Sequence, residues 1–291
     1  MIRSGAMAAE KNCGMLFMSQ PDLLLCMKWG TRYGPEYVNR LYRMVKRNMT
    51  GPFQFVCFTD DAEGLDAGID VRPLPPFEGV PEHLAVKPWR KLTLWRDDLG
   101  DDLLGRNALV LDVDVLITGP LEDFFAYEPA CDFIVWRNPT KPHSGVGNTS
   151  VFRFKVGSHP EICERFIANP EHVWKHEFRI EQELIAARLG DGTATTTARH
   201  AAVAADPFYK GLGIMRYWPQ GWVVSFKEDL LPPWPLRLWQ RVPRPAAAKV
   251  VVFHGKPDPD EAARGDWPVK SRWKKLYKAL RPVGWIDEVW R

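Results

Sequence analysis

Two carboxylates one residue apart, Asp112 and Asp114, lie within an apolar run that extends from Asn107 to Ile117. Continuous Val, Leu and Ile residues are typical of a central strand covered on both faces, and open α/β sheets bind ligands at the carboxyl ends of such strands. Because residues i and i+2 of an extended chain face the same side, both carboxylates can approach one hard divalent cation, which would neutralise a diphosphate. The run therefore predicts a buried strand that ends in a metal site. The alternative is that one aspartate caps a turn and the other is solvated.

A second polar cluster, His254-Gly255-Lys256-Pro257, follows the short apolar segment 249–253. This segment is predicted to be a strand, so the cluster lies at a strand end, as the two aspartates do. A nucleotide diphosphate site needs a divalent ion, acidic and imidazole ligands for that ion, and a lysine for the remaining charge. Together with the aspartates, His254 and Lys256 supply those groups, while Gly255 allows close backbone approach and Pro257 stiffens the turn. Alone, His254 would be a satisfied surface residue.

Alternating strand and helix patterns must position these clusters. Strands are predicted at 22–27, 53–58, 71–74, 107–117, 133–136, 150–154, 222–226 and 249–253. Helices are predicted after Pro35 and at 89–95, 160–168 and 180–188, with a flexible ligand-facing loop at 144–148 and an irregular stretch at 190–216. A strand, loop and helix repeated in this order indicate a nucleotide-binding α/β domain.

Length and composition describe an ordinary globular chain. At 291 residues, with 45% hydrophobic and 26% charged residues, it can bury a core as one large or two small domains. A formal net charge of +3 gives no argument for nucleic acid as a partner. Five cysteines without a C-x-x-C spacing indicate reduced thiols and a cytoplasmic setting. No apolar run approaches the roughly 20 residues that a membrane-spanning helix needs, so we expect a soluble or peripheral protein.

Taken together, these motifs resemble those of the GT-A glycosyltransferases, in particular the retaining group of glycogenin and the lipopolysaccharide galactosyltransferases. The matching segments follow one another in the family's order. They are 89–92, the strand into 112–114, 121–124, 148–151, 181–182 and 254–257. The resemblance implies a Rossmann-like GT-A fold with a mostly parallel central sheet and a D-x-D metal site at a strand end. The catalytic domain would be 22–262, between an N-terminal extension (1–21) and a basic C-terminal tail (263–291).

The activity implied by the resemblance is transfer of a hexose from a nucleotide-diphosphate sugar, with a UDP-sugar as the expected donor, to a carbohydrate or glycolipid acceptor. The ligands of manganese or magnesium would be Asp112, Asp114 and His254. The groups that hold the donor would be Asp60 at the uridine end, Lys91 at the phosphate or sugar, the two aspartates, and Gly255 and Lys256 at the diphosphate. The candidate catalytic residues, beside the donor sugar, would be Asn148, Glu181 and Gln182.

The stereochemical outcome is expected to be retention. The resemblance is to retaining enzymes, and no dedicated base stands beside the metal motif. An inverting enzyme needs a carboxylate base, and Glu181, Glu183 or Asp206 remains available for that role. Two departures from the family bear on the subgroup: the residues 254–257 are contiguous where the family usually spaces them apart, and Glu181 stands where aspartate is often found.

Two other classes of protein fit part of the sequence. Haloacid-dehalogenase phosphatases also carry D-x-D after an apolar strand, and Asp112 would then be the nucleophile and Asp114 the acid/base. That motif normally lies near the N-terminus and continues with a small or β-branched residue where this chain has Leu116. The other class is a non-catalytic sugar-nucleotide-binding or glycan-binding protein, in which some of the thirteen tryptophans would stack on sugars instead of only packing the core.

The segment 267–281 carries six basic residues and no acidic one. Trp273, Leu276, Tyr277 and Leu280 would share one face of a helix. Such a helix could lie in an anionic membrane interface, at the inner face of a membrane, or could dock its aromatic face on the catalytic domain. Sedimentation with anionic liposomes at low and high salt distinguishes the two possibilities.

Overall fold

The structure, a computed structural model, describes residues 20–194, 203, 205–269 and 271–291, apart from the side chains of residues 272, 275 and 276. Residues 1–19 of the predicted N-terminal extension lie outside this part. Within it the chain forms the strands β1 Asp22–Lys28, β2 Phe53–Thr59, β3 Asp70–Pro73, β4 Asn107–Leu111, β5 Val115–Ile117, β6 Phe133–Arg137, β7 Gly147–Lys155, β8 Met215–Tyr217, β9 Val223–Ser225 and β10 Val250–Val252.

Seven strands form the main sheet in the order β3-β2-β1-β4-β7-β6-β8. The pairs β3–β2, β2–β1, β1–β4 and β6–β8 are parallel, whereas β7 is antiparallel to both β4 and β6. Among these seven strands, only β7 is therefore reversed. The prediction of an α/β fold with a mostly parallel central sheet is confirmed.

Helices connect the strands and cover both faces of the sheet. They are α1 Pro35–Asn48, α2 Glu82–Ala85, α3 Glu122–Ala126, α4 Glu161–Ala168, α5 Pro170–His172 and α6 Glu181–Leu189, followed by Pro259–Arg264, Arg272–Tyr277 and Gly284–Val289. Shorter 3-10 and π-helical segments lie at Pro88–Trp95, Val173–Glu177, Pro207–Lys210, Phe226–Leu230 and Leu236–Leu238. The longest helix, α1, begins with a proline and buries apolar residues at helical spacing, which is why the sequence predicted it.

The apolar residues of the sheet divide into two cores, one on each face. Successive residues of a strand point to opposite faces, so Leu24 and Cys26 of β1 join the core that contains α1. Leu23 and Leu25 join the other core, which contains the segment Pro88–Trp95. Burial on both faces explains why the central strands are continuously apolar in sequence.

Two loop predictions are wrong. The predicted loop at 144–148 ends at Val146, because β7 begins at Gly147 and Asn148 pairs with Trp136 of β6. The predicted irregular stretch at 190–216 contains the start of β8, which pairs in parallel with β6. Residues 195–202 and 204 of that stretch lie outside the described part of the chain. The candidate catalytic residue Asn148 is consequently held by a strand.

The predicted strand at 107–117 consists of two strands in two different sheets. β4 pairs with β1 and β7 in the main sheet, whereas β5 belongs to a small sheet with the order β5-β10-β9. Asp112 and Asp114 lie in the turn between them, so the aspartates do fall where the chain leaves the main sheet. The sequence pattern looked continuous because Val115, Leu116 and Ile117 of β5 are apolar and buried, as residues 108–111 of β4 are.

The small sheet brings the second polar cluster to the first. Val252 of β10 lies opposite Val115 of β5 in an antiparallel register. The residues that follow β10 therefore run beside the residues that precede β5. This pairing places His254 near Asp114, although 140 residues separate them in sequence by subtraction of their numbers.

A buried arginine fixes the chain between α3 and β6. Arg153 of β7 is fully buried, and its guanidinium donates hydrogen bonds of 2.5–3.1 Å to the carbonyl oxygens of Phe124, Phe125, Tyr127 and Glu128. No carboxylate of the described residues forms an ion pair with it. The acceptors lie at and beyond the C-terminal end of α3, where the carbonyl groups of a helix lack intrahelical partners. Main-chain carbonyls thus take the place of a counter-ion.

The last residues of the chain pack on the core that contains α1. Val283, Ile286 and Trp290 are buried there. The basic segment forms only the short helix Arg272–Tyr277 instead of a helix across 267–281, and the side chain of Trp273 is largely exposed. Of the helices that the structure describes, none is long and apolar enough to cross a membrane.

Candidate functional site

A cavity of about 290 Å³ opens where β1 and β4 separate at their carboxyl ends. β1 pairs with β2 as far as Lys28, but it pairs with β4 only as far as Leu25. The strand order also reverses here, since β2 lies on one side of β1 and β4 lies on the other. Open α/β sheets bind their ligands at such switch points, which makes this cavity the candidate functional site.

Most of the predicted site residues line this cavity. They are Lys91, Asp112, Asp114, Asn148, Glu181, Gln182, His254 and Gly255. The residues come from the turn after β4, the start of β7, the first turn of α6, the segment Pro88–Trp95 and the end of β10. The fold therefore brings together residues that lie up to 164 positions apart in the sequence, the separation of Lys91 and Gly255.

Asp112 is held by a buried lysine. Its Oδ1 lies 2.5 Å from Nζ of Lys91, which also donates to the carbonyl oxygen of Thr149 at 3.4 Å. The Thr149 hydroxyl donates to Glu181 at 3.1 Å and accepts from the amide of Gln182 at 3.3 Å. Burial acts to lower the pKa of Lys91, but the nearby carboxylates outweigh it and raise the pKa, so the amine stays charged. One network thus joins the D-x-D turn to α6.

Asp114 is buried and hydrogen-bonded to a tyrosine. The hydroxyl of Tyr33 donates to Oδ2 of Asp114 at 2.7 Å. Burial, and then the negative charge of Asp112, raise the pKa of Asp114 well above its usual range. The negative charge of Asp112 beside the buried carboxyl of Asp114 provides an environment that attracts a cation.

His254 lies in the same cavity, where its surroundings favour the neutral imidazole. Its Nε2 shares a hydrogen bond of 2.7 Å with Oγ of Ser225, the last residue of β9. Burial, and then the positive charge of Lys227, lower the pKa of His254 below its ordinary value. A neutral imidazole is the form that can ligate a metal. The surroundings of His254 therefore favour the protonation state that a metal ligand would need.

The side chains fit a divalent metal in their chemistry. Asp112 and Asp114 offer the carboxylate oxygens that manganese and magnesium prefer, and imidazole suits manganese as a further ligand. Over the described ranges, no three His, Cys, Asp or Glu side chains already converge on one point. The two aspartates are the candidate metal ligands that lie closest in sequence, and His254 lines the same cavity while hydrogen-bonded to Ser225.

Lys256 and Asp60 have other contacts in the structure. Nζ of Lys256 forms ion pairs with Asp258 at 2.6 Å and Glu261 at 2.5 Å, the two capping-box residues of the helix Pro259–Arg264. A carboxylate oxygen of Asp60 accepts the backbone N–H of Gly30 at 2.8 Å and so orders the loop after β1. Each residue therefore has a structural role in addition to the one predicted for it at the donor.

Gly255 adopts a backbone conformation that favours glycine. Its φ is +71°, in the left-handed region, while a Cβ atom there would meet only Nζ of Lys227 at an ordinary distance of 3.5 Å. The glycine is consequently needed for its backbone angle more than for space. This turn directs the chain out of the cavity immediately after His254.

Among the lining residues that the sequence did not predict are Lys28, at the end of β1, and Arg32 and Tyr33 in the turn that follows it. The guanidinium of Arg32 lies 4.8 Å from the centre of the Tyr33 ring and pairs with Asp258 at 3.2 Å. These residues fall at a strand end and in a turn, where no periodicity marks an inward-facing side chain. Their position after a buried strand was the one available signal.

Comparison with known proteins agrees with this architecture. No protein-family model matches the sequence, and no curated protein matches it. Among solved structures, an active-site mutant of the galactosyltransferase LgtC aligns with a TM-score of 0.50 at 12% identity, over 81% of this chain and 88% of that chain. GlyE of Streptococcus pneumoniae TIGR4 aligns with a TM-score of 0.50 at 12% identity, over 82% of this chain and 56% of that chain.

A third similar structure is the bifunctional glycosyltransferase WbbM, with a TM-score of 0.51 at 9% identity, over 84% of this chain and 47% of that chain. At these identities the similarity concerns the fold. The chain therefore has the GT-A fold of glycosyltransferases.

Proposed function

We propose that the chain is a metal-dependent glycosyltransferase that moves a hexose from a nucleotide-diphosphate sugar, with a UDP-sugar as the expected donor, to a carbohydrate or glycolipid acceptor. The observation that carries the proposal is the pair Asp112 and Asp114 in a cavity at the switch point between β1 and β4. A sugar nucleotide carries an anionic diphosphate between its sugar and its nucleoside. Paired carboxylates bind such a centre through a divalent cation.

The metal would be held by the carboxylates of Asp112 and Asp114, with His254 as a further ligand. When bound, manganese or magnesium supplies a Lewis acid that offsets the charge of the leaving diphosphate. The protein's own contribution is to orient these ligands. Lys91 fixes one oxygen of Asp112, and the Tyr33 hydroxyl fixes one oxygen of Asp114, so each carboxylate retains an oxygen for the ion.

The donor sugar would contact the wall formed by β7 and α6. Oδ1 of Asn148 accepts the backbone N–H of Ser150 at 2.9 Å, which fixes the amide plane and directs its remaining capacity to a ligand. Gln182 uses its amide nitrogen on Thr149, so its carbonyl oxygen is available to a sugar hydroxyl. Convergent amide groups of this kind are typical of sites that orient a polar ligand.

The reaction is expected to retain the anomeric configuration of the donor. Of the three carboxylates considered as a base for inversion, Glu183 accepts a backbone N–H from Arg179, Asp206 pairs with Arg165, and neither lines the cavity. Glu181 does line it, but it is hydrogen-bonded to Thr149. Proton NMR of the first-formed linkage measures the outcome. A product with the anomeric configuration opposite to that of the donor would overturn this expectation.

Two alternative functions predict different chemistry. A haloacid-dehalogenase phosphatase needs Asp112 as a free nucleophile in a different fold, whereas here Asp112 is ion-paired with Lys91 in a GT-A fold. A non-catalytic binding protein on this fold would bind sugar nucleotides without cleaving them. Both alternatives can be separated from the transferase by measuring which bond, if any, is broken.

The assay is slow hydrolysis of a panel of UDP-hexoses in the presence of Mn²⁺, without acceptor. We expect release of UDP that stops when a chelator removes the metal, because water can replace the acceptor in a transferase. Release of phosphate from a phosphate monoester would support the phosphatase instead. Tight binding of a UDP-hexose with no release of UDP, with any acceptor tried, would support the non-catalytic protein.

A further inference from the structure

Lys28 is a cation of the cavity that no described side chain neutralises. Of the positively charged residues that line the cavity, Arg32 pairs with Asp258 and Lys91 pairs with Asp112. Lys28 is only 4% exposed, and throughout the described ranges its ammonium has neither an ion pair nor a hydrogen bond. Lys28 lines the cavity, so its ammonium is free to bind an anionic group of a ligand that enters there.

The position of Lys28 in the sheet explains how its side chain reaches the ligand. Lys28 is the last residue of β1 and lies beside Thr59 of β2. Pairing between β1 and β4 has already ended three residues earlier, at Leu25 and Val110. One side of Lys28 is therefore covered by β2, while the other opens into the gap between the strands, which is where the cavity lies.

The charges around the cavity identify the group that Lys28 would meet. The lining carboxylates are those of Asp112, Asp114 and Glu181. The negative charge of these carboxylates equals the positive charge of a divalent cation plus Lys91. The negative charge of the donor's phosphates therefore needs another cation. Lys28 supplies positive charge in the same cavity and is free to supply it to phosphate oxygens.

We propose that Lys28 binds a phosphate oxygen of the nucleotide-diphosphate donor and is a principal diphosphate-binding lysine of this site. This assignment rests on the proposed function. It differs from the sequence-based prediction, which gave that role to Lys256. The ammonium of Lys256 pairs with Asp258 and Glu261, and Lys256 does not line the cavity. The ammonium of Lys28 has no carboxylate partner among the residues that the structure describes.

The test is calorimetric titration of UDP into the full chain with Mn²⁺, using Lys28→Met, Lys256→Met and the control Lys155→Met. Methionine keeps the length of the side chain and removes the charge. Lys155 is exposed at the end of β7, where it pairs with Asn107, so it lies at the opposite end of β4 from the cavity. Loss of a charge-assisted contact is expected to weaken UDP binding about 10- to 100-fold for Lys28→Met, and less for Lys256→Met. Lys155→Met should bind as the wild type does.

Uridine, measured by ligand-observed NMR, separates a phosphate contact from a nucleoside contact. Lys28→Met should leave uridine binding unchanged, and Lys28→Arg should recover part of the UDP affinity. Unchanged UDP affinity in Lys28→Met, a larger loss in Lys256→Met, or equal losses for uridine and UDP would each overturn the assignment. If Lys28→Met does not fold, as judged by its thermal unfolding, Lys28→Gln takes its place under the same criteria.

Failure of the proposed function gives a different result. A wild-type chain that binds neither UDP nor inorganic pyrophosphate in the presence of Mn²⁺ would refute a metal-dependent diphosphate site, and the role of Lys28 with it. A wild-type chain that binds UDP normally while Lys28→Met does so equally well would refute the assignment of Lys28 alone.

Discussion

An Asp114→Asn variant is expected to lose Mn²⁺-dependent release of UDP by at least about 100-fold while keeping its fold, because a metal site loses one of its two charged ligands. The substitution preserves shape, and the carboxamide oxygen can still accept the hydrogen bond from Tyr33. Burial already disfavours the charged form of Asp114, since it raises the pKa of this carboxyl. Removing the charge should therefore leave the free energy of unfolding unchanged or raise it.

The measurements for this variant are the rate of UDP release and the thermal unfolding temperature without metal. A matched control is Asp101→Asn, because Asp101 is exposed and precedes β4, at the opposite end of that strand from Asp114. We expect the control to match the wild type in both measurements. An Asp114→Asn protein with unchanged metal affinity and turnover would rule out the aspartate pair as the metal site.

An Arg153→Met variant is expected to lower the free energy of unfolding by about 3 kcal/mol or more, since the buried and partly buried carbonyl acceptors of its guanidinium would lose this partner. The guanidinium serves four main-chain carbonyls at the end of α3, and the loss of partners for buried polar groups is the costly event. Methionine fills most of the volume, so the loss reports the hydrogen bonds more than a cavity.

Urea denaturation measures this second effect through the midpoint and slope of the transition. Arg153→Lys should recover little, because a single ammonium cannot reproduce the planar fork that reaches several carbonyls. Arg179→Met is the control, since Arg179 is exposed and should change the free energy of unfolding by no more than about 0.5 kcal/mol. If Arg153→Met unfolds at the same urea concentration as the wild type, the carbonyl cluster does not stabilise the fold.

The sequence predicted the class of fold and most of the cavity because both depend on local patterns. Strand and helix periodicity gives the order of elements, and polar residues at strand ends mark the ligand edge of an α/β sheet. Asp112, Asp114 and His254 were recognisable on that basis. These three residues come together because β5, which follows Asp114, pairs with β10, which precedes His254.

Other features depend on contacts that no local pattern encodes. The division of 107–117 between β4 and β5 was invisible because both strands are buried and apolar. The first strand was predicted to end at residue 27, one residue before Lys28, because the true boundary of β1 depends on pairing with β2. The partners of Lys256 did have a sequence signal, since Asp258 and Glu261 have the spacing of a capping box around a helix that starts with proline.

The most direct test of the metal site is anomalous diffraction from crystals of the full chain grown with Mn²⁺ and UDP. We expect one manganese peak between the carboxylates of Asp112 and Asp114, with the diphosphate of UDP in contact with the ion. Nucleotide bound in the cavity with no manganese at these two carboxylates, or manganese bound only elsewhere on the chain, would contradict this expectation.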